Sequence, residues 1–344
     1  MKMRILHPDR IVNRHVGGNT TYTRRIREGL ARRGVQLGTI PALPHPVLTA
    51  AAENAYSLRR MRHSVLHFSA DTGPMIRTRT GSVVTVHGVA SRWTAVARTP
   101  AQEQIWRSRV GAAIRNTDRL ITVSESSSAD ITEVFGVRSE QIRTIPHGID
   151  AEVFASPVEL SPELARFEGR PFALFVGNLE PRKNIVELIR AFGRPEIRTT
   201  GLDLLIIGRP AWNYDEILRE IEASPWVTRL GFVTENDKIA MMQRCTVFLF
   251  PSHYEGFGFP VLEALAAGAP VICSDRGSLA EVAGPSLRLA ALDSESMAAQ
   301  IAAYLEDTNA LRACRSAGPE WARSFSWEKS VDQHIAVYQE ILND

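Results

Sequence analysis

The chain has 344 residues, of which 44% are hydrophobic and 23% charged, with a formal net charge of +2. That length and balance fit a soluble globular protein of two ordinary domains and exclude a low-complexity or disordered chain. No apolar run approaches the ~18 residues of a membrane-spanning helix, and "MKMRILHPDRIVNRHVGG" at the start lacks the apolar centre of a signal peptide, so a cytoplasmic location is expected.

The small net charge hides an asymmetry. Residues 1–150 hold 22 Lys and Arg against 11 Asp and Glu, and the remainder holds 18 against 27. A basic front half, with clusters in "YTRRIREGLARRG" and "SLRRMRHS", suggests an anionic partner: membrane phospholipid, a phosphate-bearing acceptor or nucleic acid. The alternative is a set of arginines that solvate helix faces. Nucleic acid is disfavoured because aromatic interleaving and a binding motif are both missing. The three cysteines, Cys245, Cys273 and Cys314, are odd in number and unclustered, so they read as reduced, partly buried thiols. Without C-x-x-C, H-E-x-x-H or a calcium loop, neither a built-in metal site nor a cofactor is expected.

In chain order, short apolar runs alternate with helical stretches, as in α/β proteins. "MRILH" reads as a strand. "GGNTTYTRRIREGLARRG" reads as a glycine turn followed by a helix from about Thr20 to Arg33, stopped by Gly34, with Tyr22, Ile26 and Leu30 as its buried stripe. "SVLHFS", "SVVTVHG" and "RLITVSE" are strands, and "SSADITEVFG" is a Ser-capped helix closed by Gly136. "IRTIPHGID" ends the first half. From Ala151 to about Gly169 periodicity is lost, and this stretch reads as a linker. A second alternation follows: strands in "PFALFVGN", "LDLLIIG", "VTRLGFV", "TVFLFPS" and "PVICSD", helices in "NIVELIRAF", "YDEILREIEAS" and "ENDKIAMMQRC". The chain is helical from Ser294 and ends in the amphipathic "WEKSVDQHIAVYQEIL". The pattern predicts two Rossmann-like domains across a cleft.

The stretch "HYEGFGFPVLEALAAGAPVICS" leaves the carboxyl end of a buried strand, where parallel sheets bind ligands. Gly256 and Gly258 permit a sharp turn and close backbone approach. Pro260 suits the first turn of a helix predicted over Pro260 to Ala267, whose amino end favours an anion. Two acids, Glu255 and Glu263, flank that anion site and suit hydroxyls on either side of a diphosphate, as in a sugar nucleotide. "GNLEPRKN" supplies Arg182 and Lys183, a fork and a point charge for phosphate oxygens. Cations at a helix start oppose its dipole unless an anion is bound.

Taken together, "YEGFGFPVLEALAAGAPVICSD", "FALFVGNLEPRKNIVELIRAF", "RLITVSESSSADI" and "IPHGID" resemble the retaining glycosyltransferases of family 4. The likeness spans most of the chain and is clearest over 170–285. It implies an α/β, GT-B fold: two Rossmann-like domains facing a central cleft, with the C-terminal helix crossing back to the first. The N-terminal, acceptor-binding domain would cover 1–155 plus about 327–344, and the nucleotide-sugar domain 170–326. The resemblance further implies that Glu255 binds hydroxyls of the donor sugar and Glu263 the ribose. The backbone of Phe257, Gly258 and Phe259 would lie near sugar and diphosphate, with Arg182 and Lys183 on the diphosphate. Gly17 and Gly18 would form a glycine turn over the phosphates, and His87, in "VVTVHG", would stand beside the reacting carbon. The bland alternative for His87 is a satisfied core histidine. Many relatives carry a cation where this chain has Asn178, which places more of the phosphate charge on Arg182 and Lys183. His147 stands where the family has Asn, which leaves its role open.

The implied reaction is transfer of a hexose with retention, metal-independent, by front-face attack with a donor phosphate oxygen taking the acceptor proton. The closest motif likeness is to bacterial mannosyltransferases of surface polysaccharide assembly, which implies GDP-mannose as donor and a glycan or polyprenyl-diphosphate-linked acceptor, with peripheral contact to an anionic membrane. The alternatives are a UDP-sugar-dependent glycosyltransferase of the same fold, a GT-B sugar-nucleotide epimerase, and a non-enzymatic sugar-nucleotide sensor.

Overall fold

Every strand of the structure, a computed structural model describing residues 3–13, 17–94 and 98–344, lies in one of two parallel sheets. The chain divides into two units: Met1–Arg92 with Arg98–Gly148 and Phe325–Asp344, and Ile149–Ser324 with the short stretch beginning at Trp93.

The first unit holds β1 (Arg4–Pro8), β2 (Gln36–Ile40), β3 (Ser64–Phe68), β4 (Ser82–Thr85), β5 (Arg119–Thr122) and β6 (Ile142–Thr144), in the order β2-β1-β3-β4-β5-β6. β3 and β4 are buried along their whole length, which is why they read as continuous apolar runs. The first long helix buries Tyr22, Ile26 and Leu30, as its spacing predicts. It runs Gly18–Arg32, two residues earlier than expected. Gly17 adopts φ +101°, and its carbonyl accepts from the Thr20 and Thr21 N–H groups, which draws the glycine turn into the helix start. Gly34, at φ +73°, follows its end. Two long helices of this unit carry no clear apolar stripe and escaped the sequence reading: Pro46–Ser57 and Pro100–Asn116, the latter started by a Thr99–Gln102 capping box.

The final helix, Trp327–Asn343, is capped by Ser326 and belongs to this first unit, packed along Gly18–Arg32. A Cβ at Gly29 would lie 2.4 Å from Val331, and one at Gly148 would lie 2.1 Å from the Trp327 nitrogen, so both contacts need glycine.

The second unit holds β7 (Phe172–Val176), β8 (Asp203–Ile207), β9 (Val227–Gly231), β10 (Val247–Phe250), β11 (Val271–Ser274) and β12 (Leu287–Leu289), in the order β12-β11-β10-β7-β8-β9. This is a doubly wound Rossmann order, with its switch point between β7 and β10. The stretch expected to be a linker is part of this unit. It opens with a short helix, Ala151–Ala155, and Gln243 Nε2 donates to the carbonyls of Phe154 (2.8 Å) and Ser156 (2.7 Å). Asp237 Oδ1 accepts the Ser161 N–H at 3.1 Å. These polar bonds act beside the buried Ala151, Phe154 and Leu164, which are too few and too unevenly spaced to give the sequence an apolar period.

Candidate functional site

The loops after β7 and β10 leave the sheet on either side of its switch point, and they are stitched together: the His253 N–H donates to the Arg182 carbonyl at 2.9 Å. The β7 loop forms a single 3-10 turn, Pro181–Lys183, followed by Asn184 at φ +58° and the helix Ile185–Phe192. The β10 loop turns through Gly258 at φ +99° into the helix Phe259–Ala266, one residue earlier than predicted, with Pro260 in its first turn. A Cβ at Gly258 would lie 2.6 Å from Leu279, so glycine is required here for both backbone angle and space.

These loops bring Glu255, Arg182 and Lys183 into one cluster. Glu255 Oε1 lies 2.6 Å from Lys183 Nζ and 2.8 Å from an Arg182 terminal nitrogen. The same guanidinium donates to the Tyr254 carbonyl at 2.5 Å and, through its other terminal nitrogen, to Glu180. Lys183 Nζ also lies 4.6 Å from the centre of the Phe250 ring. Burial alone would raise the Glu255 carboxyl, but Arg182 and Lys183 outweigh it and hold the carboxyl at about 2. For Lys183, burial is the larger influence, and with the Arg182 charge beside it the ammonium is pulled below its ordinary range despite Glu255. The Glu255 backbone is fixed as well, since its carbonyl accepts from the Ser278 N–H and hydroxyl, each at 3.0 Å.

The sequence reading gave Glu255 to sugar hydroxyls and the two cations to diphosphate. In the structure these three side chains are paired with one another. Glu263 stands apart from that cluster, in the first turns of Phe259–Ala266, and accepts from Lys238 Nζ at 2.8 Å. Phe257 is buried and stacks edge-on with Phe259 at 5.1 Å between ring centres. Asn178 is exposed, next to the fully buried Leu179. Three participants were not singled out in the sequence. Glu180 is the acid inside "GNLEPRKN", Trp212 donates to Glu180 at 2.7 Å, and Lys238 balances Glu263.

Gly17, Gly18 and His87 lie in the first unit. A Cβ at either glycine would meet no atom within 4 Å. His87 is held at both ends: its N–H donates to Asp71 Oδ1 at 2.8 Å, and its Nε2 lies 3.0 Å from the Ser69 carbonyl. A carbonyl only accepts, so Nε2 carries the proton and, in the neutral ring, Nδ1 is the acceptor. Asp71 adopts φ +59°, uncommon for a residue with a Cβ. His147 is buried and stacks on His87, with 5.5 Å between ring centres and 28° between planes.

Beneath His87 lies a polar network that the apolar stripe concealed. The Tyr22 hydroxyl is 2.7 Å from His334 Nε2 and 3.0 Å from Thr85 Oγ1. His67 bridges Thr85 Oγ1 and the Tyr338 hydroxyl, each at 2.8 Å. Through His334 and Tyr338 this network ties the final helix to the sheet. Burial pushes His7, His67 and His147 well below the ordinary imidazole range, and His334 down to about 4.

Two family models match the chain: "Glycosyltransferase Family 4" over residues 37–153 and "Glycosyl transferases group 1" over residues 159–321. The "O-antigen chain mannosyltransferase B" of Escherichia coli is 32% identical over 64% of this chain and 60% of its own. The "MMP alpha-(1->4)-mannosyltransferase" of Mycolicibacterium hassiacum is 30% identical over 66% of this chain and 55% of its own. The chain thus spans somewhat more than half the length of these curated relatives. In fold it is similar to the sucrose-phosphate synthase of Thermosynechococcus elongatus (TM-score 0.76, 20% identity, 99% of this chain and 100% of that one). It is also similar to Anabaena Alr3699/HepE in complex with UDP and glucose (TM-score 0.70, 18% identity, 98% and 99%).

Proposed function

This chain belongs to the family 4 glycosyltransferases of the GT-B fold, and from that premise we propose that it transfers mannose from GDP-mannose to a glycan or polyprenyl-diphosphate-linked acceptor, with retention and without metal. The observation that carries the reading is the Glu255–Arg182–Lys183 cluster, set at the switch point of a Rossmann sheet beside the amino end of a helix. The mannosyl assignment is supported by the two mannosyltransferases at 30% identity or above.

On this reading the diphosphate takes hydrogen bonds from Arg182 and Lys183, which stabilise the charge on the leaving group. Freed from part of that pairing, Glu255 accepts from sugar hydroxyls, and Glu263 accepts from the ribose. His87, its backbone N–H held by Asp71 and its ring Nε2 by the Ser69 carbonyl, offers Nδ1 as an acceptor for a sugar hydroxyl. A donor phosphate oxygen takes the acceptor proton, and the protein supplies positioning.

The acceptor is assigned to the first unit. A cavity of about 300 Å³ there is lined by Arg10, Leu43, Pro44, Glu53, Thr72 and Arg109, among others. Arg10 is held by Glu53 at 2.6 Å, while Arg109 makes no ion pair among the described residues. Leu43, Val47 and Leu48 are exposed nearby, on a half with a basic excess, which supports peripheral contact with an anionic membrane. No helix among the described residues is long and apolar enough to cross a membrane.

A second reading, UDP-sugar as donor, is favoured by the fold likeness to a structure holding UDP and glucose. Thermal unfolding against a panel of GDP- and UDP-sugars, with chelator present, separates the two. A ligand at a hundred times its dissociation constant adds about 2.7 kcal/mol. Stabilisation by GDP and GDP-mannose alone supports the first reading and by a UDP-sugar alone the second. Binding only without chelator removes metal independence. A donor converted to its epimer without acceptor makes the protein an epimerase.

A further inference from the structure

The two cations of the donor loop are already neutralised. Arg182 and Lys183 face two buried carboxylates, Glu255 and Glu180, and each cation is in contact with at least one of them. The role of Glu255 in the proposed reaction accounts for one carboxylate. Glu180 is left over, and its setting is specific. One oxygen accepts from Arg182 and the other accepts from Trp212 Nε1 at 2.7 Å.

Trp212 is tied rigidly to the same loop. The Ala211 N–H donates to the Leu179 carbonyl at 3.1 Å, and the Leu179 N–H donates to the Arg209 carbonyl at 2.9 Å. A Cβ at Gly208 would lie 1.9 Å from the Gly177 carbonyl oxygen, so the chains leaving β7 and β8 run backbone against backbone. The indole therefore fixes the direction of the carboxylate, and the carboxylate holds one edge of the guanidinium.

We propose that Glu180 is a resident counter-ion that competes with the donor diphosphate for Arg182, and that Trp212 is the positioning residue that keeps it aimed. The inference rests on reading this loop as the diphosphate site. Its chemistry is direct. A diphosphate that reaches Arg182 must share or displace the Glu180 contact, and two anions on one guanidinium repel. The carboxylate thus weakens binding of donor and nucleoside diphosphate alike. Tight binding of both in the ground state gains no rate in the chemical step and slows departure of the product, a step that limits many enzymes. Arg182 and Lys183 still offer donors that capture a diphosphate, and Glu180 offsets enough of their charge to let it leave.

The direction of the effect is unusual, because removing a buried partner from a binding loop ordinarily weakens binding. Calorimetric titration of the full chain with GDP and with UDP, alongside stopped-flow dissociation of a fluorescent nucleoside diphosphate, tests it. The nucleotide that binds the wild type should bind Glu180→Gln roughly tenfold more tightly, chiefly through slower dissociation, while Glu180→Asp restores the wild-type value. Trp212→Phe should tighten binding by a smaller factor. Equal or weaker binding by Glu180→Gln, with an unchanged unfolding midpoint, overturns the counter-ion role and leaves the donor-site reading intact. Absence of nucleotide binding by the wild type overturns both. If Glu180→Gln fails to fold, Trp212→Phe decides: tightened binding supports the role, and unchanged or weakened binding removes it.

Discussion

Lys183 Nζ and Glu255 Oε1 stand 2.6 Å apart, both side chains buried, joined from loops that leave two different strands of the sheet. Neither charge is tolerable there without the other. Glu255→Ala strands the buried Lys183 and leaves Arg182 with Glu180 alone as its counter-ion, and should cost about 3 kcal/mol, seen as a lower urea midpoint. Glu255→Gln keeps the shape and one acceptor. It should unfold closer to wild type yet lose roughly 100-fold or more in transfer. A Gln variant with full activity would remove Glu255 from the donor site.

Stability should fall on acidification in two windows. His334 is held near 4 against an ordinary 6.5, because burial disfavours the charged ring. The unfolded chain therefore binds the extra proton first, and stability is lost as pH falls from about 6.5 to about 4, by roughly 3 kcal/mol at 1.36 kcal/mol per unit. His7, His67 and His147 act in the same direction. Glu255, held near 2, contributes stability that is present above its ordinary 4.5 and is lost as pH falls toward 2. Urea midpoints between pH 8 and 4 test the first window, and a flat profile would contradict a neutral histidine network.

Asp71 holds the His87 backbone from a left-handed conformation. Asp71→Asn retains an acceptor oxygen and tolerates that conformation, so it should stay within about 0.5 kcal/mol of wild type. Asp71→Ala loses the bond and keeps the strain, and should cost about 1–3 kcal/mol. Equal midpoints for the two variants would show that the turn does not depend on the carboxylate.

Gly148→Ala places a methyl against the backbone of Trp327, where no side chain can move aside. A cost of about 1–3 kcal/mol is expected, with faster proteolysis near the start of the final helix. Gly136→Ala, which meets no atom within 4 Å but stands at φ +65°, is the control: it carries conformational strain alone and should leave that helix protected.

Glu263→Ala removes the acceptor assigned to the ribose while Lys238 keeps Glu235 as partner at 2.8 Å. Nucleotide affinity should drop roughly tenfold, a loss of about 1.4 kcal/mol, with the unfolding midpoint of the free protein nearly unchanged. Unaltered affinity would move the ribose elsewhere.

Much of the second unit was legible because its strands are continuous apolar runs and its helices carry apolar stripes or clear caps. β7, β8, β10 and β11 all fall inside the stretches read as strands. In the first unit, β2 ("QLGTI") carries a glycine in its centre and the helix Pro46–Ser57 is rich in alanine, so neither offered a period to read. The opposite failure occurred at Tyr22. Its four-residue spacing from Ile26 marked it correctly as buried, but spacing carries no information about what a hydroxyl finds once it is inside.

The sequence by itself determined the two-unit α/β architecture, the family, and the residues at the loop ends, because periodicity, glycine placement and caps are local properties of the chain. Only the tertiary structure decided which charges meet. Arg182 and Lys183 lie more than seventy positions before Glu255, and Trp212 lies thirty-two after Glu180. Their partnership depends on the strand order that sets β7 between β8 and β10. Coulomb attraction and hydrogen bonds act over a few ångströms of space, and that distance is fixed only once the sheet has formed.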